Sequence, residues 1–314
     1  LLPQTRLHGS HMRRRSMKKL SYLALATAWI ASLASTAAQA TENGGSVYPL
    51  GVQTVANGLM MAPGDYLLSY NQWIHANKIV DGSGKNALPD PKLNVEAHAL
   101  RYLHVFENLK IAGGNLSLEA DWSYVDSKLN TPFFKAHASG FGDLTVGPSI
   151  GWHSPTFHQQ VSLLATLPTG SYDAKSALNI GRNYYAVTAD YAFTWFFAPQ
   201  WELSSMFMVI ANGKNRDDGY KSGIETNVEF SLDHFFPNRW FAGVGGYWHN
   251  QLTDDTLNGQ AFNGNGNRVR DFAIGPQVGY ATDKVGVYLA WQHQVYVRNA
   301  AKGDRLWLNA FIKF

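Results

Sequence analysis

The sequence contains no cysteine, and this absence removes several classes of chemistry at once. Without thiols the chain has no disulfide framework, no thiolate ligand for a metal and no cysteine nucleophile. Long hydrophobic runs are also missing after residue 40, where no stretch approaches the ~18 uncharged apolar residues that a transmembrane helix needs. If this part of the chain spans a membrane, it must do so as a closed β-sheet, in which every backbone group is paired.

Basic charge is scarcer than the total suggests. The chain has 26 Lys+Arg and 23 Asp+Glu, a net charge of +3. However, six of the basic residues and none of the acidic ones lie in residues 1–40. Without them the net charge is about −3. The composition therefore gives no support to a nucleic-acid-binding function.

The first forty residues have the pattern of a tag followed by an export signal. Residues 1–12 end in Gly-Ser-His-Met, which is typical of a vector-derived tag. A basic stretch at 13–19, an apolar stretch at 20–33 and the small-x-small sequence at 38–40 predict a signal peptide over residues 13–40. We therefore expect an exported protein whose mature chain starts near Thr41.

From residue 65 onward, apolar and polar residues alternate with period two, as in strands whose two faces meet different surroundings. The last ten residues are the clearest case, with Leu306, Leu308, Ala310, Ile312 and Phe314 on one face. Twelve such segments are predicted: 65–77, 93–106, 115–126, 142–153, 158–168, 183–196, 200–211, 222–234, 240–252, 269–281, 284–298 and 305–314. The expected fold is all-β, a transmembrane antiparallel β-barrel over residues 65–314 whose last strand closes against Tyr66, Leu68 and Tyr70 of the first.

The connections between these segments alternate between long and short. Residues 78–92 and 127–141 form long connections, whereas 107–114 and 154–157 are shorter. Long extracellular loops and short periplasmic turns give an up-and-down barrel this rhythm. The strands of a soluble β-sandwich also alternate between apolar and polar residues, but that fold does not require its connections to alternate between long and short. Aromatic clusters beside two short turns, at 195–201 and 235–241, predict an interfacial girdle.

Several segments containing Gly or Pro together resemble a known family, the outer-membrane proteins associated with meta-pathway phenol degradation, often found beside catabolic genes for aromatic compounds. The segments are 48–51, 62–64, 140–148, 167–172, 179–181 and 243–255. The resemblance covers nearly all of the chain after the signal peptide. It implies a monomeric twelve-stranded channel in the outer membrane of a Gram-negative bacterium, for passive uptake of small hydrophobic or aromatic molecules. It implies neither an enzyme nor a particular substrate.

Residues 41–64 precede the first strand and are too apolar for a disordered tail. The apolar residues are Val47, Tyr48, Leu50, Val52, Val55, Leu59, Met60 and Met61. One interpretation is a plug that enters the lumen and gives it an apolar lining, where Met side chains suit varied apolar ligands. The alternative is an ordinary leader docked under the barrel.

A second set of candidates consists of polar residues expected to line the lumen. They are Glu119, Asp121, Asp143, Asp190, Glu202, Glu225, Asn227, Glu229, Asp233, Asp271, Gln292 and Gln294, with Arg182, Arg270 and Arg298 as the cationic partners. Each is also explained by a structural ion pair, so none has an assigned role. The second strand is ambiguous, because placing Glu96, His98 and His104 inside puts Arg101 outside.

Catalytic and metal sites find little support. The chain has no G-x-S-x-G nucleophile elbow, and its histidines lack the spacing of metal ligands. We expect no cofactor and no metal. The expected partners are outer-membrane lipid, lipopolysaccharide and small hydrophobic or aromatic solutes. The alternatives left open are a general small-solute or ion diffusion pore, an outer-membrane hydrolase and a structural barrel.

Overall fold

The computed structural model describes residues 45–314, so the expected tag, signal peptide and mature start lie outside the described residues. Most of this part of the chain is β-strand. The strands are β1 Gly64–Val80, β2 Lys92–Ile111, β3 Gly114–Asn130, β4 Lys135–Phe141, β5 Leu144–His153, β6 Phe157–Leu167, β7 Ala186–Ala198, β8 Trp201–Asn212, β9 Tyr220–Lys221, β10 Glu225–Phe235, β11 Trp240–Gln251, β12 Thr256–Leu257, β13 Gln260–Ala261, β14 Arg270–Ala281, β15 Val285–Arg298 and β16 Ala300–Lys313. A single 3-10 turn, Phe262–Gly264, follows β13 in the described chain.

The long strands close into a barrel. They form one antiparallel sheet in the order β2-β1-β16-β15-β14-β11-β10-β8-β7-β6-β5-β3-β4, and β2 also pairs with β3. β4 and β5 pair with successive halves of β3 and are separated only by Gly142 and Asp143. They therefore act as one interrupted wall strand, and the wall has the twelve strands that the sequence predicts.

The first and last strands complete the wall, but with a different face of β1 than predicted. Leu306, Leu308 and Ile312 of β16 are exposed on the outside. Ile312 lies opposite Leu67 of β1, which is also exposed. Tyr66, Leu68 and Tyr70 instead point into the barrel and are buried. The prediction that the last strand pairs with the first was confirmed. The predicted face of β1 was wrong, because paired residues in a sheet share a face and the outward residues of β16 lie opposite outward residues of β1.

The outer surface is apolar. Leu100, Trp122, Leu163, Phe207 and Trp248 are large side chains exposed on five different wall strands. An apolar belt of this kind around a closed barrel is typical of strands that cross a membrane. At the two aromatic-rich turns Trp195, Trp201, Phe236 and Trp240 are exposed as well, whereas Phe241 is buried and stacks against Phe235.

Several connections are shorter than the sequence suggests, and two of them lie on either side of β3. β2 and β3 extend toward each other and leave only Ala112 and Gly113, whose φ angles are +49° and +80°. Two positive φ angles match the twist of a tight hairpin. Between β3 and β4 only residues 131–134 remain, where the Thr131 hydroxyl accepts the N–H groups of Phe133 and Phe134. The predicted long loop at 127–141 is therefore wrong, because its residues continue two paired strands.

One pair of neighbouring strands separates near its turn. The ladder between β15 and β16 runs from Val285–Ile312 to His293–Asp304 and stops there. Beyond that point, the end of β15 pairs with β14 through Arg298, and the start of β16 pairs with β1 from Ala300. The turn itself is the single residue Asn299.

The longer connections carry small structures of their own. β12 pairs with β13 and with β9, so the connections after β8 and β11 touch. After β1, the Asp81 carboxylate accepts hydrogen bonds from Ser83 and from the Lys85 N–H. These bonds hold the pKa of Asp81 below its ordinary value. Among residues 45–314 there is no helix with the length and apolar character to cross a membrane.

Candidate functional site: the barrel lumen

Residues 45–63, called here the inner segment, contact side chains on the inward face of the wall. Its firmest contact is Glu229 of β10, whose two carboxylate oxygens accept the N–H groups of Gly51 at 2.6 Å and Gln53 at 2.7 Å. Both distances are short, and the two bonds fix the backbone at two residues that are only two positions apart. Glu229 therefore holds the segment by its backbone, independently of the side chains there.

Further wall strands bind the same backbone. Tyr288 donates to the Val52 carbonyl at 2.7 Å, and Asn309 donates to it at 2.9 Å. Thr194 accepts the N–H of Gly58 at 3.0 Å on the far side of the barrel. Since these residues come from β15, β16 and β7, the inner segment is tied across the lumen and not to one edge.

At Gly58 the inner segment lies close against the backbone of the wall. A Cβ atom added there would lie 2.3 Å from the Cα of Phe193, and backbone cannot yield at that distance. Any larger residue would have to push the segment away from β7. A glycine here allows close approach to neighbouring backbone.

The apolar residues predicted for a plug occupy different positions. Tyr48, Leu50, Val52 and Met60 are buried in the main hydrophobic cluster. Val47 and Met61 pack against it, Val55 is half-buried and Leu59 is exposed. Burial raises the pKa of the Tyr48 hydroxyl well above its ordinary value, and nearby Glu229 adds to this rise, so the phenol stays protonated.

Most of the predicted polar lining residues point inward and are buried. These are Asp190, Glu202, Glu225, Asn227, Glu229, Asp233, Asp271, Gln292 and Gln294. Glu119 and Asp121 also face inward, where both contact Arg101. Asp143 lies at the break between β4 and β5, where its carboxylate accepts the N–H groups of Gly170 and Arg182.

The buried guanidinium groups are not those expected from the sequence. Arg101 of β2 lies 2.5 Å from Asp121, and Arg305 of β16 lies 3.4 Å from Asp271. Of the predicted cations, Arg182 borders the lumen and donates to the Ser46 carbonyl. Arg270 is exposed because it precedes inward-facing Asp271, and neighbouring residues of a strand face opposite ways. Arg298 stacks over Tyr296 near the β15–β16 turn.

The facing of β2 explains why Arg101 was missed. Glu96, His98 and His104 lie on the outside, where Trp73 donates to Glu96 and His104 contacts Asp65. Arg101 is an odd number of positions from each of these residues along the strand, so its side chain faces inward. The available signal was the pair of carboxylates on the neighbouring strand, since a buried guanidinium needs such partners. His249, buried against Glu225 at 2.8 Å, was also missed.

Next to the inner segment the lumen widens into a cavity of about 370 Å³, called here the lumen cavity. Leu50 and Val52 of the segment contribute to its lining. The inward residues Ile74, Val95 and Val125 make part of its wall apolar. Gln72, Arg101, Asp271 and Trp307 supply polar groups on its other sides. The volume suits a small organic molecule.

Comparison with protein families gives one match. The family model described as "Putative MetA-pathway of phenol degradation" matches residues 76–310, which is most of the chain and nearly all of the barrel. A search of curated proteins returns no match.

Solved structures include one with the same fold and others with weaker similarity. The COG4313 outer membrane channel from Pseudomonas putida F1 superposes with a TM-score of 0.70 at 18% identity, over 82% of this chain and 97% of that one. The transport unit of the autotransporter AIDA-I from Escherichia coli has a TM-score of 0.47 at 10% identity, over 82% and 93%. The CymD monoaromatic hydrocarbon channel has a TM-score of 0.43 at 9% identity, over 82% and 90%. The last two are too distant to carry an argument.

Proposed function

Since the chain belongs to the family of the MetA pathway of phenol degradation, we propose that it is a channel in the outer membrane of a Gram-negative bacterium. Its cargo is small hydrophobic or aromatic molecules, which it admits by passive diffusion. The fold agrees with this role, since it is shared with the COG4313 outer membrane channel. No reaction and no cofactor are needed for such passage.

The apolar part of the lumen cavity is the observation that carries the proposal. Wall strands of a water-filled porin alternate between apolar residues outside and polar residues inside. Here Ile74, Val95, Ala97 and Val125 place apolar groups on the inside of three adjacent strands. An apolar lining lowers the cost of taking an aromatic ring out of water, at roughly 25 cal/mol per Å² of buried apolar surface.

The inner segment supports passage that is restricted in size. Its backbone is bound by Glu229, Tyr288, Asn309 and Thr194 from separate wall strands. We propose that it acts as a plug that narrows the lumen, as in larger barrels whose interior is filled by a separate segment. This arrangement favours a selective channel over a general diffusion pore.

The closed wall and its apolar outer surface indicate what surrounds the barrel. A closed sheet has no free edge for another chain, and its apolar exterior suits lipid contact. We propose that the channel works as a monomer, with lipid and lipopolysaccharide around it.

Uptake measurements test the proposed function. Cells with and without the protein are supplied with radiolabelled toluene, phenol and glucose at low concentration, and the initial uptake rates are compared. We expect the protein to speed the entry of the aromatic solutes and to leave glucose nearly unaffected. Equal acceleration of all three would indicate a general pore, and no acceleration of any would refute the channel.

Deleting residues 45–62 tests the plug. Because the deleted backbone crosses the lumen, we expect the single-channel conductance in planar bilayers to rise severalfold. The shift in electrophoretic mobility between heated and unheated samples verifies that the barrel remains folded. An unchanged conductance in a folded barrel would contradict the plug.

A further inference from the structure

Two hydrogen-bond donors lie side by side on the wall of the lumen cavity without a partner. Gln72 of β1 and Trp307 of β16 are directly opposite each other in the closing ladder. They are 5% and 2% exposed, and both line the lumen cavity. Within the described residues, neither the Gln72 Nε2 nor the Trp307 Nε1 has a hydrogen-bond acceptor. Leaving a buried donor unsatisfied costs about 1–3 kcal/mol, so two adjacent ones are unusual.

The position of Trp307 is fixed by its neighbours. Arg305 and Asn309 flank it on the same inward face of β16, and both donate to the inner segment. Arg305 reaches the Leu50 carbonyl at 3.3 Å, and Asn309 reaches the Val52 carbonyl at 2.9 Å. The indole therefore lies where the inner segment meets the lumen cavity, on a rigid strand and not on a loop.

The row of inward residues continues from these donors into an apolar surface. Gln72 is opposite Ala97 of β2, and Ala97 is opposite Val125 of β3. Ile74 and Val95 form the next inward pair along the same strands. Since neighbouring strands are about 4.8 Å apart, the distance from Gln72 to Val125 is about 10 Å. Ala97 is small, which leaves space over this stretch for a flat ring.

From this geometry we propose that Gln72 and Trp307 form an oxygen-recognition site for neutral oxygenated monoaromatic molecules. The ring lies over Ala97 and Val125. A carbonyl, hydroxyl or ether oxygen accepts from the two donors once their side chains turn toward the lumen cavity. The proposal rests on the proposed function, because it names the class of molecule that the channel selects. Gln72 and Trp307 are specificity residues in this view, and the apolar row supplies the general affinity for rings.

The chemistry of the site distinguishes three kinds of solute. A pure hydrocarbon leaves both donors unsatisfied, which is costly for buried groups. An aromatic carboxylate would satisfy them but would bring its charge near Asp121 and Asp271, which also line the lumen cavity. A neutral molecule with one acceptor oxygen satisfies the donors without this repulsion.

A matched pair of ligands tests the proposal. Ethylbenzene and acetophenone share a carbon skeleton and differ by one carbonyl oxygen. Equilibrium binding of each radiolabelled compound is measured on the full chain in lipid nanodiscs, with partition into empty nanodiscs subtracted. The variants are Gln72→Leu and Trp307→Phe, which remove the donors and keep apolar bulk. The control is Trp291→Phe, a tryptophan exposed on the outside of β15.

We expect each lumen variant to weaken acetophenone binding about tenfold relative to ethylbenzene, the size of one lost hydrogen bond to a neutral acceptor. Trp291→Phe should leave the ratio unchanged. If both ligands lose affinity by the same factor, the residues contribute only shape, and the oxygen site is refuted. An unchanged ratio in folded variants refutes it as well.

Failure of the site and failure of the channel are distinguishable. If aromatic uptake by cells persists while the variants leave the ratio unchanged, the oxygen site is wrong and the channel stands. If the binding ratio changes as expected but the protein speeds no uptake, the site stands and the channel is wrong.

Discussion

At the scale of single residues, Glu229 illustrates how the lumen is organised. Its buried carboxylate has no arginine partner among its described contacts, and accepts two backbone N–H groups of the inner segment instead. A buried charge is tolerated only where it is paired or fully hydrogen-bonded. The same bonds that satisfy Glu229 therefore fix the inner segment.

Replacing Glu229 with Gln removes one of the two acceptor oxygens. We expect the inner segment to be held less firmly, because one of two strong backbone bonds is lost. Single-channel recordings should show larger and more frequent current fluctuations. Asp190→Asn is the matched control, since Asp190 is also a buried lumen carboxylate but accepts its hydrogen bond from Ser162. Equal fluctuations in both variants would contradict the assignment.

Arg101 is the clearest case of a structural ion pair at this scale. It lies between Glu119 and Asp121 and reaches Gln53 of the inner segment at 2.9 Å. Removing one partner of a buried ion pair costs more free energy than the pair contributes to stability, since the remaining charges stay buried without a partner.

Arg101→Met should therefore lower the free energy of unfolding by about 3–5 kcal/mol. Arg268→Met is the control, because Arg268 and Asp254 form an exposed pair worth about 0–1 kcal/mol. Urea unfolding of each variant in lipid bilayers, followed by tryptophan fluorescence, measures the difference. Similar losses in the two variants would show that Arg101 is not a buried anchor.

At the scale of elements, β15 and β16 differ from the other neighbouring strands. Their ladder ends at His293–Asp304, and the region beyond is joined by side chains. Gly303 donates to the Gln294 side chain at 2.7 Å, and Lys302 donates to the Val295 carbonyl at 2.9 Å. Side-chain bonds of this kind hold strands less firmly than a continuous ladder does.

We expect the amide hydrogens of residues 294–303 to exchange faster than those of 285–293. The reason is that β15 and β16 are not paired beyond His293 and Asp304, so N–H groups that point from one of these strands toward the other have no backbone partner there. Hydrogen–deuterium exchange followed by mass spectrometry, on protein in nanodiscs, resolves the two stretches. The turn between β10 and β11 provides a comparison, because the ladder of these strands runs unbroken to its last pair, Phe235 and Phe241. Equal protection of both stretches of β15–β16 would contradict the expectation.

At the scale of the whole molecule, acidic groups dominate the lumen. Buried inward carboxylates include Asp190, Glu202, Glu225, Glu229 and Asp233, in addition to those that pair with Arg101 and Arg305. Wall carboxylates outnumber the guanidinium groups, so those that are ionised make the field inside the barrel negative. Rings of carboxylates favour cations in channels.

Ion current through the channel should therefore prefer cations. In a potassium chloride gradient across a planar bilayer, we expect a reversal potential on the cation-selective side. The variant Asp190→Asn should bring this potential closer to zero. Asp304→Asn, on the outside of β16, should leave it unchanged. A wild-type preference for chloride would refute the electrostatic argument.

Much of the fold could be predicted because it follows from local rules. The period-two pattern places apolar residues outward on β3, β7 and β10, and twelve such segments gave the correct number of wall strands. Loop lengths were less predictable. At 127–141 the turn residues, chiefly Thr131 and Pro132, are embedded in strands that alternate weakly, so the pattern alone suggested a loop.

The candidate site was likewise predictable only in part. Parity along one strand predicts which residues face inward, as for Glu225, Glu229 and Asp233 of β10. The position of a residue along its strand does not predict which inward side chains contact each other. Arg101, Glu119 and Gln53 come together only through strand pairing and the path of the inner segment. Parity also fails where polar residues occur on both faces of a strand, as on β2.

The sequence by itself therefore determined the alternating strands and their number, and it predicts an export signal. Alternation is enforced by the two different environments on either side of a barrel wall, so it is written residue by residue. Only the tertiary structure decided the register at closure, the contacts of the inner segment and the meeting of Gln72 with Trp307. These depend on pairings between residues far apart in the chain, and local chemistry does not specify such pairings.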